Sequence, residues 1–575
     1  MFLPTTRKEM SDLGWEVLDV ILVSGDSYID TPFNGAAVIG KVLARAGFRV
    51  GIIAQPDVKS EIDITRLGEP ELFWGVTAGV VDSMVANYTA AKKKRRSDDN
   101  TPGGLNDRRP DRASIVYANL IRRYFKKTRP IILGGIEASL RRMAHYDFWT
   151  DKVRGAVLVD AKADYLCYGM GEKTILQFAD ALKQDGDPTS IRGLSYRGST
   201  IPEEYIELPS LEAVTSSKDT FIDFFNTFYQ NNDPITANGL AQKHGSQYVI
   251  QNPPMALPTE TEMDSYYSIP FERAQHPYYE KQGKVKSLET IQFAIQTHRG
   301  CYGECNFCAI AVHEGRTIAS RSAESIIAEA RSFTEHPQFK GIIHDVGGPT
   351  ANMYGFECRR KLRLGACKDL RCLFPEKCKA LPVSHKEQID LLNEIRKIPG
   401  VKKVFIGSGI RYDMVLDDKQ HGEQYLRTVV NHHVSGQLKI APEHVAPSVL
   451  QSMGKPGGST LLRFKDKFDR FSKEAGKNQF LTYYFIAAHP GCSDREMDTL
   501  KDFISQELKL HPEQVQVFTP TPSTYSTLMY YTEKDPFTKK PIFVEKDLVR
   551  KDRQKSKVVR RSALVEPQKA SRRRA

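Results

Sequence analysis

Cys301-Tyr-Gly-Glu-Cys305-Asn-Phe-Cys308 sets three thiols within eight residues, at C-x3-C-x2-C spacing. Thiols packed that closely in one loop can turn together onto a single inorganic centre, and Gly300 and Gly303 leave the backbone free to curl. Four thiolates would close a 4Fe-4S cluster, so three leave one iron open to a ligand the protein does not supply. Zinc is the competing occupant, with His298 or His313 completing a Cys3His set. A second group, Cys358, Cys367, Cys372 and Cys378, puts four thiols into 21 residues. It is a possible second metal site for an auxiliary iron-sulfur cluster or zinc, although the spacing is not the paired CxxC of a zinc knuckle.

The elements that must position these thiols are β/α units. From Leu288 onward, β-like runs fall near 289–297, 341–346, 403–408, 437–441, 480–487 and 514–519, separated by helical segments. Ser384-His-Lys-Glu387 reads as a capping box opening one helix, whose Ile389, Leu392 and Ile395 form an apolar face. Six such units predict a full or partial parallel barrel, whose active site lies at the C-terminal strand ends. Cys301 follows the first strand at that end. The loops after the later strands carry small or polar residues: Asp345-Val-Gly-Gly-Pro-Thr350, Gly407-Ser-Gly-Ile-Arg411, Ala441-Pro-Glu-His444 and Ala487-Ala-His-Pro-Gly491.

The first part of the chain follows a related pattern. Asp19-Val-Ile-Leu-Val-Ser24, an apolar-periodic stretch from Ala36 to Ala46, and Arg49-Val-Gly-Ile-Ile-Ala54 form a βαβ unit. Runs at 72–76 and 130–134 extend it into a doubly wound parallel sheet. Gly134-Gly135 and Gly169-Met-Gly171-Glu172 fall where such sheets meet ligands. Prolines at 253, 254, 258, 270 and 277 predict an extended wrap between domains. The expected divisions are 1–190 (α/β domain), 191–285 (wrap), 286–525 (barrel, with a Cys-rich insertion at 355–380) and 526–575 (basic, partly disordered extension).

Composition bounds the rest. At 575 residues the chain is too long for one core. No apolar run spans a bilayer and the N-terminus lacks a signal-peptide core, so the expected compartment is the cytoplasm, without membrane partners. Seven of nine cysteines lie between 301 and 378, which in a reducing compartment favours metal ligation over disulfides. The net charge of +12 is concentrated: residues 546–575 carry twelve Lys/Arg against three Asp/Glu, including Arg560-Arg561 and Arg572-Arg573-Arg574. That tail, like the run Lys92 to Arg96, can bind phosphate backbones, but a solvated end is the simpler account.

The cysteine loop, with Phe307 before its third thiol, resembles the signature of the radical S-adenosylmethionine (AdoMet, SAM) superfamily. The wider chain resembles YgiQ-type radical AdoMet proteins at Ser24-Gly-Asp26, Thr297-His-Arg-Gly-Cys301, Gly347-Gly-Pro-Thr-Ala-Asn-Met-Tyr354 and Phe518-Thr-Pro-Thr-Pro522. The resemblance implies an α/β chain with an N-terminal cobalamin-binding-like domain before a (β/α)6 partial TIM barrel of radical SAM type. It implies a 4Fe-4S cluster on Cys301, Cys305 and Cys308, AdoMet on the open iron, and cleavage to a 5'-deoxyadenosyl radical. It also implies a reductant of flavodoxin or ferredoxin type, with a substrate that is a small molecule, RNA or protein. The AdoMet contacts it implies are Gly347, Gly348 and Pro349 (where many members have Glu), Gly409, Ile410 and Arg411, with Glu443 and His489 as further polar contacts. The N-terminal part resembles cobalamin-binding-like domains at Gly134-Gly-Ile-Glu-Ala-Ser-Leu140 and Tyr168-Gly-Met-Gly-Glu172. Their Asp-x-His-x-x-Gly motif is absent and no histidine precedes His145, so cobalamin is not expected. The alternative from another class is a non-catalytic metal scaffold that binds nucleic acid or senses redox state.

Overall fold

The computed structural model describes residues 1–559 except 511, 513 and 514. Nine strands form one mixed sheet: β1 (Val20–Ser24), β2 (Val50–Ala54), β3 (Phe73–Thr77), β4 (Ile131–Gly134), β5 (Tyr165–Cys167), β6 (Leu194–Gly198), β7 (Ile206–Leu208), β8 (Leu240–His244) and β9 (Gln247–Gln251). Their spatial order is β2-β1-β3-β4-β5-β6-β9-β8-β7. The first five run parallel. Val-Ile-Leu-Val-Ser and Val-Gly-Ile-Ile-Ala are buried throughout, as strands covered on both faces must be.

The sheet does not end near residue 190. β6 joins β5 antiparallel, and β8 and β9 form a hairpin across Gly245-Ser246, so residues 194–251 belong to the first domain rather than to a wrap. The Phe-rich helix Lys218–Gln230 lies among these strands in sequence and buries Phe221, Phe224, Phe225 and Phe228.

The segment after β9 carries the helices Glu260–Tyr267 and Pro277–Glu280 and runs back along the first domain. There Arg273 donates its backbone N–H to Asp30 O, and Asp30 N–H donates to Ala274 O. Asp30 also pairs with Lys41 at 2.6 Å. The Arg273 guanidinium continues to the other half of the chain, where Glu329 on the helix Ala323–Glu335 binds both it and Arg321.

Beyond the wrap, short strands pair in parallel succession. Ala294–Gln296 pairs with Asp345–Gly347, Ile342–Ile343 with Lys403–Val404, and Gln437–Glu443 with Phe480–Ala487, which in turn pairs with Gln516–Val517. A parallel bridge between Ile410 and Ile440 joins the middle. Helices intervene and bury Phe333, Leu392, Leu426, Val429, Phe464 and Phe468 in one core. The helix Lys386–Arg396 buries Ile389, Leu392 and Ile395 as its periodicity predicts. The capping box at Ser384 does not form, because the N-cap is His385, whose backbone N–H donates to Asp418 instead.

The C-terminal extension is ordered as far as it is described. The helix Tyr525–Thr532 sets Tyr525 against Phe225 and Tyr229, and Leu548–Val558 buries Lys551, which donates to Tyr530 Oη at 3.0 Å. Arg560-Arg561 and Arg572-Arg573-Arg574 lie outside the described residues.

Glu329 carries two buried arginines, so Glu329→Ala leaves both without a counter-charge. Such a break costs about 3–5 kcal/mol. The expected outcome is a loss of that size in the unfolding free energy from urea titration, seen as a lower midpoint, with Glu329→Gln intermediate.

Candidate functional site

The loop after the strand Ala294–Gln296 is shaped from several sides. Gly300, at φ +84°, has room only for a hydrogen, since a Cβ would stand 2.3 Å from Thr317 O. Its N–H donates to Glu314 Oε2 at 2.9 Å, and Cys301 N–H donates to Gly315 O. Asn306 anchors the far side, its N–H donating to Met453 O and its Nδ2 to Ser452 O. Arg371 donates to Glu304 O and Asn306 Oδ1. Held this way, Cys301, Cys305 and Cys308 are all partly buried and none is in a disulfide.

Gly303 lies between the thiols. A Cβ there would be 3.2 Å from Cys301 Sγ, 3.9 Å from Cys305 Sγ and 3.3 Å from Arg411 Nη1. Burial pushes the Cys301 and Cys308 thiols up, and the neighbouring Cys305 sulfur pushes each further. A cationic inorganic centre relieves both effects, because a coordinating thiol deprotonates outright.

Among the described residues no three His, Cys, Asp or Glu side chains converge on a point where one metal ion could sit. A single zinc with Zn–S bonds of about 2.3 Å demands such convergence, whereas a four-iron cluster is several ångströms across and spreads its thiolates. The histidines offered for zinc face elsewhere. His298 is fully buried under Gly348 with Nδ1 2.8 Å from Thr297 Oγ1, and His313 places Nδ1 2.9 Å from Ser139 Oγ in the first domain. Neither histidine joins the loop, so the donors it offers are the three sulfurs.

Loops from the other strand ends reach these thiols. Thr350 Oγ1 is 3.6 Å and Met353 Sδ 3.8 Å from Cys301 Sγ. Gly347, Gly348 and Pro349 form the approach to Thr350, and Thr297 N–H donates to Gly347 O at 2.7 Å. Asp345 accepts the N–H groups of Gly407 and Ser408, tying this loop to the next, and Ala351 N–H donates to Gly409 O. Ile410 is buried and bridges to Ile440, with Arg411 Nη1 at 4.0 Å from Cys305 Sγ. Asp413 grips the Arg411 guanidinium with two hydrogen bonds, at 2.8 and 2.5 Å. Glu443 is buried, which raises its carboxyl pKa against the pull of Lys455 at 3.7 Å, and it lies close enough to Cys308 to raise that thiol too.

His489 is not brought in. Its Nε2 is 2.6 Å from Ser526 Oγ and its Nδ1 is 2.8 Å from Pro490 O, so it supports Phe307 from behind, edge-on. In the second cysteine group, Cys358 and Cys372 join an apolar cluster with Tyr302, Leu373 and Leu381, Cys378 N–H donates to Cys372 O, and Cys367 receives Arg360 Nη1 at 2.9 Å.

Two features had no role assigned from sequence. Asn352 accepts Arg411 N–H and donates to Arg411 O, while its Nδ2 is 3.1 Å from His385 Nε2. His385 Nδ1 is in turn 2.8 Å from Asp418, locking the Arg411 loop. The other feature is a cavity of about 450 Å³ between the carboxyl edge of the sheet and the cysteine loop, bounded by Thr77, Gly134, Gly169, Arg299, His313 and Glu314. Arg299 reaches across it to Glu172 at 2.5 Å.

Comparison with known proteins gives the same frame. Residues 2–294 match the family model "Radical SAM N-terminal", and residues 513–565 match a domain of unknown function, DUF3362. A UPF0313 protein of Fusobacterium nucleatum is 58% identical over 96% of this chain and 98% of its own. One from Thermotoga maritima is 50% identical over 97% and 98%. Among solved structures, the radical S-adenosylmethionine methyltransferase TsrM from Kitasatospora setae, with cobalamin and a [4Fe-4S] cluster bound, is 14% identical at TM-score 0.49, covering 89% of this chain and 77% of its own. The cobalamin-dependent S-adenosylmethionine radical enzyme OxsB, with aqua-cobalamin bound, is 13% identical at TM-score 0.48, covering 92% and 57%. The expectation against cobalamin is corrected by these cobalamin-bound neighbours.

Glycine at 348 is required by contact rather than by φ, since a Cβ would meet His298 Cε1 at 2.6 Å and Nε2 at 2.7 Å. Gly348→Ala is expected to lower stability by about 1–3 kcal/mol in urea unfolding. Gly409→Ala, whose Cβ meets nothing nearer than Lys439 O at 3.9 Å, should stay within about 0.5 kcal/mol of the parent.

Proposed function

The chain belongs to the Radical SAM N-terminal family, and from that premise we propose that it is a radical AdoMet enzyme in which Cys301, Cys305 and Cys308 hold a 4Fe-4S cluster. When bound, that cluster supplies one electron to the sulfonium of AdoMet, giving methionine and a 5'-deoxyadenosyl radical. The observation that carries the reading is the gathering of Thr350, Arg411 and Glu443, from three other strand ends, around the three thiols of the cysteine loop. Read this way, the parallel strand succession is a (β/α)6 partial barrel with its mouth at the cysteine loop.

The chain's own residues position and exclude. Gly347, Gly348 and Pro349 offer backbone to one end of AdoMet, and Gly409, Ile410 and Arg411 line another. Arg411, neutralised by Asp413, donates near Cys305 without adding a bare charge. Glu443 offers a carboxyl whose pKa burial raises. The cavity is of a size for a small organic molecule and is lined largely by apolar residues and glycine, so we assign the substrate to it. Its wall includes Glu314, whose other role is to hold Gly300, so substrate and cluster share one hydrogen-bonded partition. The reductant is a flavodoxin or ferredoxin, and the free cysteines suit the cytoplasm. No helix among the described residues is long and apolar enough to cross a membrane. The metal-scaffold alternative is not favoured, because it has no need for these loops to meet.

The test is anaerobic reconstitution with iron and sulfide, reduction, and assay for 5'-deoxyadenosine. Equal amounts of 5'-deoxyadenosine and methionine are expected. Cys301→Ala, Cys305→Ala and Cys308→Ala should each fall to background, while Cys492→Ala retains activity. A loaded, reducible cluster that neither binds nor cleaves AdoMet would sink the reading.

A further inference from the structure

We propose that the Cys-rich lobe at 355–380 is the docking surface for an acidic one-electron carrier protein, an inference that rests on reading the cysteine loop as a cluster site. The lobe packs directly on that loop. Tyr302, between Cys301 and Gly303, shares an apolar cluster with Met353, Phe356, Cys358, Leu373 and Leu381, and Cys301 and Cys372 border it. Arg371 of the lobe holds both Glu304 O and Asn306, on either side of Cys305. An electron entering here has a short path to the thiols.

The charge of the lobe is arranged for an acidic visitor. It carries eight Lys/Arg against three Asp/Glu. On its inner side Lys361 pairs with Glu357 at 2.8 Å, Arg371 donates to the cysteine loop, and outside the lobe Arg316 pairs with Glu304 at 3.2 Å. On its outer side Arg359, Arg360, Arg363, Lys368 and Lys379 are exposed, and none forms an ion pair among the described residues. Elsewhere Arg427, Lys467 and Arg470 share Glu423 and Glu474, whereas the exposed run Lys93 to Arg96 forms no ion pair among the described residues, as in the lobe.

Among the outer cations stand Leu362, Leu364 and Leu370, at 50, 49 and 60% exposure. Apolar points among like charges fit the small, electrostatically steered interfaces of redox encounters. A nucleic acid would be expected to find stacking platforms, yet Phe356 is buried and Phe374 half-buried, the lobe having no other aromatic side chain. In the transfer itself the carrier loses one electron, a flavodoxin hydroquinone becoming the semiquinone; the cluster gains it, and no covalent bond forms between the proteins.

The experiment uses full-length protein and a bacterial flavodoxin. The exposed triple variant Arg359→Glu/Arg363→Glu/Lys368→Glu should lower the second-order rate of semiquinone appearance at least about tenfold at low salt and flatten its salt dependence. Reduction by photoreduced deazaflavin should be unchanged. Calorimetric binding of oxidised flavodoxin, which needs no cluster turnover, should be lost in the same variant. An unchanged flavodoxin rate and binding would overturn the proposal. So would loss of binding to bulk tRNA with flavodoxin kinetics intact, which would make the lobe a nucleic-acid surface. Absence of AdoMet cleavage in the parent under chemical reduction counts against the enzymatic reading alone, because flavodoxin binding still reads the docking face.

Discussion

Three partly buried thiols on one loop, two of them closing on Gly303, set the terms for the rest of this protein. Burial and mutual proximity both favour the protonated form of Cys301 and Cys308, so as thiols they are poor ligands. Only a cationic centre reverses that, and metal binding then contributes to folding in proportion to how well the loop is already shaped. The structure meets this requirement by fixing the loop with hydrogen bonds to backbone on opposite sides: Glu314 to Gly300, and Asn306 to Ser452 and Met453. Each tie comes from a different stretch of chain, so the loop's shape is a property of the whole second half.

The same logic fastens the loops to one another. Asp345 holds 407 and 408, and Asn352 holds Arg411 by both its N–H and its carbonyl. These are buried polar groups with partners, the condition under which such networks rigidify rather than weaken a site. The two halves of the chain are joined in kind, through Arg273 to Glu329 and Arg299 to Glu172. The cavity lies between these two bridges' domains, so its volume depends on interdomain ion pairs as well as on the sheet edge. Loss of one bridge would be felt at the cavity before it was felt at the strands.

What could be read from sequence was local and repetitive. The C-x3-C-x2-C loop, the apolar runs of β1 and β2, and the glycine-bearing loops at 347 and 409 are each specified within a few neighbouring residues. What could not be read was long-range or polar. The hairpin β8–β9 contains Gln242, Lys243, Gln247 and Gln251, so the stretch looked like loop, although Gly245-Ser246 is a hairpin turn pair. Ser384 and Glu387 had capping-box spacing, but Asp418, 33 residues beyond His385, took the helix start. Asn352, His385 and Asp418 form one clamp from three separate segments, and no period or motif connects them. His489 matched a ligand in type and position, yet its two nitrogens are already engaged by Pro490 and Ser526.

Charge shows the same division between what is counted and what is placed. The sequence puts most of the excess in the tail, and a count would send an acidic or phosphate-bearing partner there. In the structure, what distinguishes a surface is whether its cations already have acids. Inside the Cys-rich lobe Lys361 has Glu357, and beside the lobe Arg316 has Glu304, so the charges nearest the thiols are largely compensated. On its outer side the cations have none. At physiological ionic strength, uncompensated charge acts over about 8 Å, enough to orient a partner at contact and too short to act from the far side of the molecule. A largely compensated inner layer and a charged outer one let the lobe steer a protein toward the cysteine loop while leaving the loop's own electrostatics to Arg411, Asp413 and Glu443.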